Sequence, residues 1–502
     1  MSLPTPDRLR TATLAQAAAA AQRPAALPQD LRIGHLHLGL GAFHRAHQAL
    51  YTEAVIAGGD HRWGICAVAL RNPALVQVLQ AQDGLYSVTE RHGEQRRSRI
   101  VGAIARTLHA PSQPQAVLDA LRDPAITVVT LTVTEKGYGQ QPATGTLDET
   151  DPDIAHDLRQ PRTPRSTLGV LAEGLRLRRP DAPLSLLSCD NMAGNGRTLR
   201  RLLLQYAEAV DPALARHIDA LAACPDSMVD RIVPAATEAT RAEAAAAIGL
   251  DDAAALVCEP YTQWVIEDDF RAPRPAWERA GALLVPDVRP YQTLKLRMLN
   301  GSHSAIAYLG QLAGLPTVAD VMADARLGPW VRALMHEELR TSLQAPAGFD
   351  AAAYGDALLH RFENPALQHR TAQIASDGTQ KVPVRWLGAL RDHLAAGRPA
   401  PRLEAALAAW LHYLVCPHDA RGAALQRTDP GAAPLQAALR AAATPEAQVA
   451  AALAHGAVFG PDDWPAGLRQ RLAAALQRLA AGGLGALLTP QAPGAPGSPP
   501  AG

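Results

Sequence analysis

The chain has 502 residues, 48% of them hydrophobic, and its 48 basic and 48 acidic side chains give a formal net charge of zero. That length calls for about two to four domain-sized units, and the balanced charge excludes long-range attraction to nucleic acid or an anionic membrane. Five cysteines (66, 189, 224, 258 and 416) are odd in number, widely spaced and without a CxxC pair, which argues against a disulfide framework or zinc ribbon and for a reducing, cytoplasmic compartment.

Residues 1–30 read as an N-terminal arm. The alanine run Ala17–Ala21 is flanked by glutamine and arginine and lacks the leucine-rich block of a signal peptide, so a weak helix or a mobile arm is expected. From 31 to 288, apolar strand-like runs alternate with helical patterns, the mark of an α/β domain with a largely parallel sheet. The first run, RIGHLHLGLG, passes through Gly39-Leu40-Gly41-Ala42-Phe43-His44 into a helical pattern. Gly39 and Gly41 occupy the places where a dinucleotide-binding turn needs a tight bend and close approach to pyrophosphate, while His44 replaces the third glycine. A second run ends at Leu70-Arg71-Asn72-Pro73, with no acid to bond a ribose hydroxyl. Arg71 there suits a 2′-phosphate, so NAD, NADP or dual use stays open. A third run, AITVVTLTVT, ends at Glu135-Lys136-Gly137-Tyr138, and a fourth, LSLLSC, ends at Asp190 and Asn191.

His35, His37, His44 and His47 are close in sequence, but no acidic or cysteine ligand stands at helical spacing beside them, and no metal is expected. A mostly helical, alanine- and leucine-rich domain is expected over 289–485, and the Pro/Gly-rich end of the chain is assigned to a disordered tail, 486–502. No apolar run is long enough to span a membrane.

Only three of the 48 basic residues are lysines: Lys136, Lys295 and Lys381. An amine can lose its proton when desolvated and a guanidinium cannot, so surviving lysines are enriched where proton transfer or a single-point contact is needed. In Tyr291-Gln-Thr-Leu-Lys295-Leu-Arg-Met-Leu-Asn300-Gly-Ser-His303 a regular helix puts Asn300 about 140° and His303 about 80° around from Lys295, so all three can border one cleft. Lys295 is then the acid/base group of a carbonyl–alcohol interconversion, with Asn300 and Asn191 as alkoxide donors and His303 orienting the substrate. The Tyr291/Lys295 YxxxK pair lacks an upstream serine partner and is set aside.

The blocks HLGLGAFHRAHQALYT, WGIC, LTVTEKGY, SCDN, MVDRIVPAAT, CEPYTQWVIEDDF, KLRMLNGSHS and HRTAQIASDGTQKVP together resemble the long-chain mannitol dehydrogenase family. The resemblance implies a Rossmann-type N-terminal domain, a mostly α-helical C-terminal domain, a nicotinamide cofactor, no metal and a monomeric assembly. It also implies Lys295, Asn191, Asn300 and His303 at the chemistry, with Asp230 in the substrate site. Where the family's polyol enzymes commonly carry Glu, this chain has Gln292. TEKGY, KLRMLNGSHS and HRTAQIASDGTQKVP are closer to the fructuronate reductase branch, which implies fructuronate and D-mannonate as the substrate pair, with a mannitol- or arabinitol-type polyol as the alternative. Lys136, Arg297, Arg370 and Lys381 would add the positive charge that a uronate carboxylate needs. A non-catalytic sugar or nucleotide sensor would keep the glycine turn without needing Lys295.

Overall fold

The computed structural model describes residues 6–141, 144–346, 348–461 and 463–489, and the chain divides into two compact units, Met1–Arg289 and Pro290–Gly502. The first is built on a six-stranded sheet: β1 (Ile33–Leu38), β2 (Gly64–Ala69), β5 (Ile104–His109), β6 (Val128–Leu131), β7 (Leu184–Ser188) and β8 (Ala222–Ala223). All pairings in it are parallel, in the order β5-β2-β1-β6-β7-β8. The chain thus winds outward from β1 in one direction and from β6 in the other, the doubly wound Rossmann arrangement.

Parallel strands covered on both faces need apolar side chains on both, and β2 supplies them. Cys66 and Val68 join one buried cluster, Ile65, Ala67 and Ala69 the other. In β1, Leu36 and Leu38 serve the first face, while the opposite face carries His35 and His37, both fully buried.

Two three-stranded sheets flank the main one. The hairpin of β3 (Tyr86–His92) and β4 (Gln95–Val101) extends through β10 (Leu256–Cys258), and β11 (Gln263–Glu267) lies between β9 (Ser227–Asp230) and β12 (Leu283–Val285). The described part of the N-terminal arm, from residue 6 on, is neither a weak α-helix nor loose. It forms a 3₁₀ turn at Thr11–Gln16, and Leu9, Ala17 and Ala21 are buried against Leu85, Ile100, Ile248 and Leu250. Backbone bonds fasten it, from Leu9 N to Asp251 O (2.8 Å) and from Ile100 N to Gln22 O (2.8 Å).

The second unit is helical. Its centre is Gly301–Ala313, buried on nearly every side, as a helix surrounded by others must be. The last helix, Ala466–Leu488, continues past residue 486, and residues 490–502 lie outside the described part. Among the described residues no helix is long and apolar enough to cross a membrane.

Candidate active site

In the first unit the singled-out motifs gather at the carboxyl edge of the main sheet, where ligands bind in doubly wound folds. Gly39, just after β1, has φ +104°, and a Cβ there would lie 2.2 Å from the Thr132 carbonyl oxygen. Only glycine fits. Gly41 is different: its backbone is extended (φ −142°), and the only neighbour within 4 Å of a Cβ would be Gly39 O at 3.5 Å. The space beside Gly41 is therefore open to a ligand that approaches the backbone closely. The short helix Ala42–Ala46 starts here, with Ala42 and Phe43 half-buried, and gives way at His47 to Gln48–Ala57.

The third-glycine position is filled by a fully buried His44 whose ring stacks on His37 at 3.4 Å between centroids. His35 Nε2 and His37 Nδ1 both meet Thr130 Oγ1, at 2.7 and 2.8 Å. Burial lowers all three imidazoles, His35 to about 3 and the other two well below the usual range. They are neutral core residues, and no cluster of metal-ligating side chains occurs among the described residues.

Beyond β2, Arg71 is exposed, and its carbonyl oxygen meets the His109 ring at 3.0 Å. Beyond β6, the turn containing Lys136 is held by Asp190, whose buried carboxylate accepts from Val133 N, Thr134 N and Tyr138 Oη at 3.1, 2.8 and 2.7 Å. Burial raises the Asp190 carboxyl above the ordinary carboxylate range, against these donors. Lys136 itself is exposed. Asn191 follows Asp190 at the exposed edge, and Asp230 is buried at the end of β9.

In the second unit, Lys295 opens a π-helical stretch, Lys295–Asn300, between the α-helices Arg289–Leu294 and Gly301–Ala313. Regular helical spacing therefore fails across the segment that matters most. Gly301 N donates to Leu296 O, five residues back, so residues five apart are brought closer to one direction than an α-helix allows. Two side chains from the π-helical stretch Pro383–Leu387 hold the exit of the turn. Trp386 Nε1 donates to Gly301 O at 2.9 Å, and Arg385 Nη1 donates to Asn300 O at 3.3 Å and Ser304 Oγ at 2.9 Å.

Lys295, Asn300 and His303 are all buried, at 8%, 5% and 7% exposure. Asn300 Nδ2 and His303 Nε2 are shut off from solvent with no partner among the described residues. Buried groups without a protein partner at the edge of a candidate site are suited to a ligand that can pair with them. Burial, then the neighbouring His369, Arg385, Arg361 and Lys295, holds His303 well below the usual imidazole range. It is a neutral ring beside a lysine.

The four cations assigned to a carboxylate part company. Arg297 stands two residues on from Lys295, on another side of the helix, where it pairs with Asp392 (2.6 Å) and donates to Ser342 O. Its guanidinium is thus already met by a carboxylate, which leaves less of its charge for a substrate. Lys381 Nζ donates to Ile374 O (3.2 Å) and Ser376 Oγ (3.1 Å) near the end of Thr371–Ile374. Arg370 is exposed, but its neighbour His369 meets His303 edge-on at 5.3 Å, and burial lowers His369 to about 4. His369, Arg361 and Arg385 were passed over in the sequence, although His369 opens the block HRTAQIASDGTQKVP.

The mannitol dehydrogenase Rossmann domain matches residues 33–279, and the mannitol dehydrogenase C-terminal domain matches residues 287–480. The D-mannonate oxidoreductase of Escherichia coli (strain K12) is 44% identical over 407 residues, covering 80% of this chain and 84% of that protein. Among solved structures, Pseudomonas fluorescens mannitol 2-dehydrogenase, in a ternary complex with NAD and D-mannitol, superposes with a TM-score of 0.85 at 34% identity, covering 96% of this chain and 98% of that one. A substrate-free D-sorbitol dehydrogenase superposes with a TM-score of 0.88 at 33% identity, covering 96% and 100%. With both of its units matched in order and over nearly their whole length, this chain belongs to the mannitol dehydrogenase family of oxidoreductases.

Proposed function

We propose that this NAD(P)-dependent dehydrogenase interconverts fructuronate and D-mannonate, with Lys295 as the proton-transfer group. The observation that carries the reading is the buried lysine accompanied by an idle amide donor on Asn300 and a neutral, idle His303. In the alcohol direction the neutral amine of Lys295 takes the hydroxyl proton; in the carbonyl direction its ammonium returns it. Asn300 Nδ2, with Asn191 as a second carboxamide, donates to the oxygen as charge develops on it. His303 and Asp230 hold the sugar hydroxyls. Bound nicotinamide supplies the hydride acceptor or donor. The backbone of Gly39, Gly41, Ala42 and Phe43 fits the pyrophosphate of such a cofactor, because the turn stands at the reversal of strand order and is open at Gly41. The absence of an acid after β2, with Arg71 in its place, favours acceptance of NADP as well as NAD.

The uronate reading is supported by the likeness to D-mannonate oxidoreductase and by the cations Lys136, Arg370 and Lys381. A polyol 2-dehydrogenase is the second reading, favoured by the likeness to mannitol 2-dehydrogenase and by the commitment of Arg297 to Asp392. Nicotinamide absorbance recorded with fructuronate, tagaturonate, fructose and xylulose, each with NADH and NADPH, separates them. Fructuronate is expected to give the highest kcat/KM, and faster turnover of fructose would overturn the assignment. Arg370→Ala and Lys381→Ala are expected to raise KM for fructuronate and leave fructose unaffected; unchanged uronate kinetics in both would remove these residues from carboxylate recognition.

A further inference from the structure

We infer that the second unit carries a separate binding site for an anion with an apolar body, in a cavity of about 670 Å³ lined by none of the residues invoked above. Small-molecule pockets span about 300–1,000 Å³, so the space suits one ligand of ordinary size. The last helix creates it. Ala466–Leu488 breaks at Gly483, where φ 62° and ψ −159° suit a residue without a side chain, and Leu487 and Leu488 beyond the break line the cavity. Trp330, Ala405 and Ala475, all buried, add to the apolar wall.

Four arginines border this wall, and their charges are not equally balanced. Arg471 makes a two-pronged pair with Glu404 at 2.8–2.9 Å, and Arg402 pairs with Glu337 at 2.7 Å. Arg326 is exposed, and its charge helps to hold the Asp324 carboxyl below its ordinary value, whereas Arg478 is half-buried and pairs with no carboxylate among the described residues. The Arg478 Nε is shut off from solvent with no acceptor, and Arg326 Nη1 lies 3.3 Å from where a Cβ on Gly485 would sit, at the folded-back turn. A buried guanidinium N–H without an acceptor is costly. A ligand carboxylate or sulfonate would give the Arg478 Nε its acceptor and meet the charge of Arg326 at the rim, while its aliphatic or aromatic body covered the wall. Such a ligand differs from a polyhydroxylated substrate, which would find few partners on that wall.

The test uses the full chain with anilinonaphthalene sulfonate as a fluorescent apolar anion, displaced by decanoate or by decan-1-ol. Saturable one-site binding is expected, with decanoate displacing the dye at least about tenfold better than the alcohol. The variant R326Q/R478Q is expected to weaken decanoate by about tenfold or more while dehydrogenase turnover, which reports folding, stays unchanged. Ala474→Trp, which fills the cavity, is expected to abolish dye binding, again with turnover kept. The proposal is overturned by equal displacement by the alcohol, by undiminished decanoate binding in R326Q/R478Q, or by dye binding that survives Ala474→Trp.

Discussion

The two units interrupt regular backbone where their candidate residues lie, and they do so by opposite means. In the first, a glycine turn follows β1, and its conformation is dictated by Gly39 itself, whose positive φ and contact with Thr132 O exclude a side chain. What it presents is backbone N–H. In the second, a helix widens by one residue over Lys295–Asn300, and donors 85 residues away, Trp386 and Arg385, secure its exit. What it presents is side chains. A turn of the first kind is local and can be recognised from a few letters; one of the second kind is a tertiary feature with no comparable local pattern.

Substitutions that strike one of these devices and spare the other separate their contributions. Lys295→Ala is expected to cut kcat by about 10³-fold or more with cofactor binding intact, since acid–base catalysis contributes about 10²–10⁴-fold. Turnover near the parent level, by stopped-flow nicotinamide absorbance, would remove the lysine from the chemistry. Gly39→Ala is expected to destabilise the protein by about 3 kcal/mol or more through backbone strain and collision with Thr132 O. Gly41→Ala, which has room, is expected to keep the melting temperature and weaken cofactor binding; equal melting losses in the two variants would contradict that division of labour.

Asn300→Ala is expected to lower kcat by about 10²-fold, the usual loss of one alkoxide donor. Its melting temperature should hold or rise, because the Nδ2 it removes is buried without a partner. A large fall in stability would mark Asn300 as structural. The smallest effect concerns pH. Burial holds the His44 imidazole well below its ordinary value, so the unfolded chain binds a proton there below about pH 6.5 that the folded chain refuses. Stability from this group is full above that pH and is lost as pH falls, by about 1.4 kcal/mol per unit. Melts of His44→Gln between pH 7 and 5 should therefore lose less stability than the parent over the same interval, and parallel curves would show that His44 is not neutral in the fold.

Much of the second device was visible as residue types but not as geometry. Only three lysines stand among the 48 basic residues, which marks Lys295 as a candidate for a role that a guanidinium cannot fill. Placement of its neighbours relied on 100° per residue, which the π-helical stretch does not follow. The same reliance on letters selected Arg370, an exposed side chain, over His369 beside it, whose ring faces His303. Arg297 is only a positive charge in the sequence, and its pairing with Asp392 and Ser342 is set by residues 95 and 45 positions away. The histidines near β1 give the converse case, since His35 and His37 are settled by two threonine hydroxyls, Thr130 and Thr132, about 95 positions away.

By itself, the sequence determined the alternation of strand and helix, the glycine turn after β1, the change to a helical second unit and the identity of the buried lysine. Each of these follows from side-chain periodicity or from a property of one residue type, and both are carried locally. Only the tertiary structure decided the pitch of the helix after Lys295, the neutral state of His303 and which cations are already paired. Those depend on desolvation and on partners remote in sequence, which no local pattern encodes.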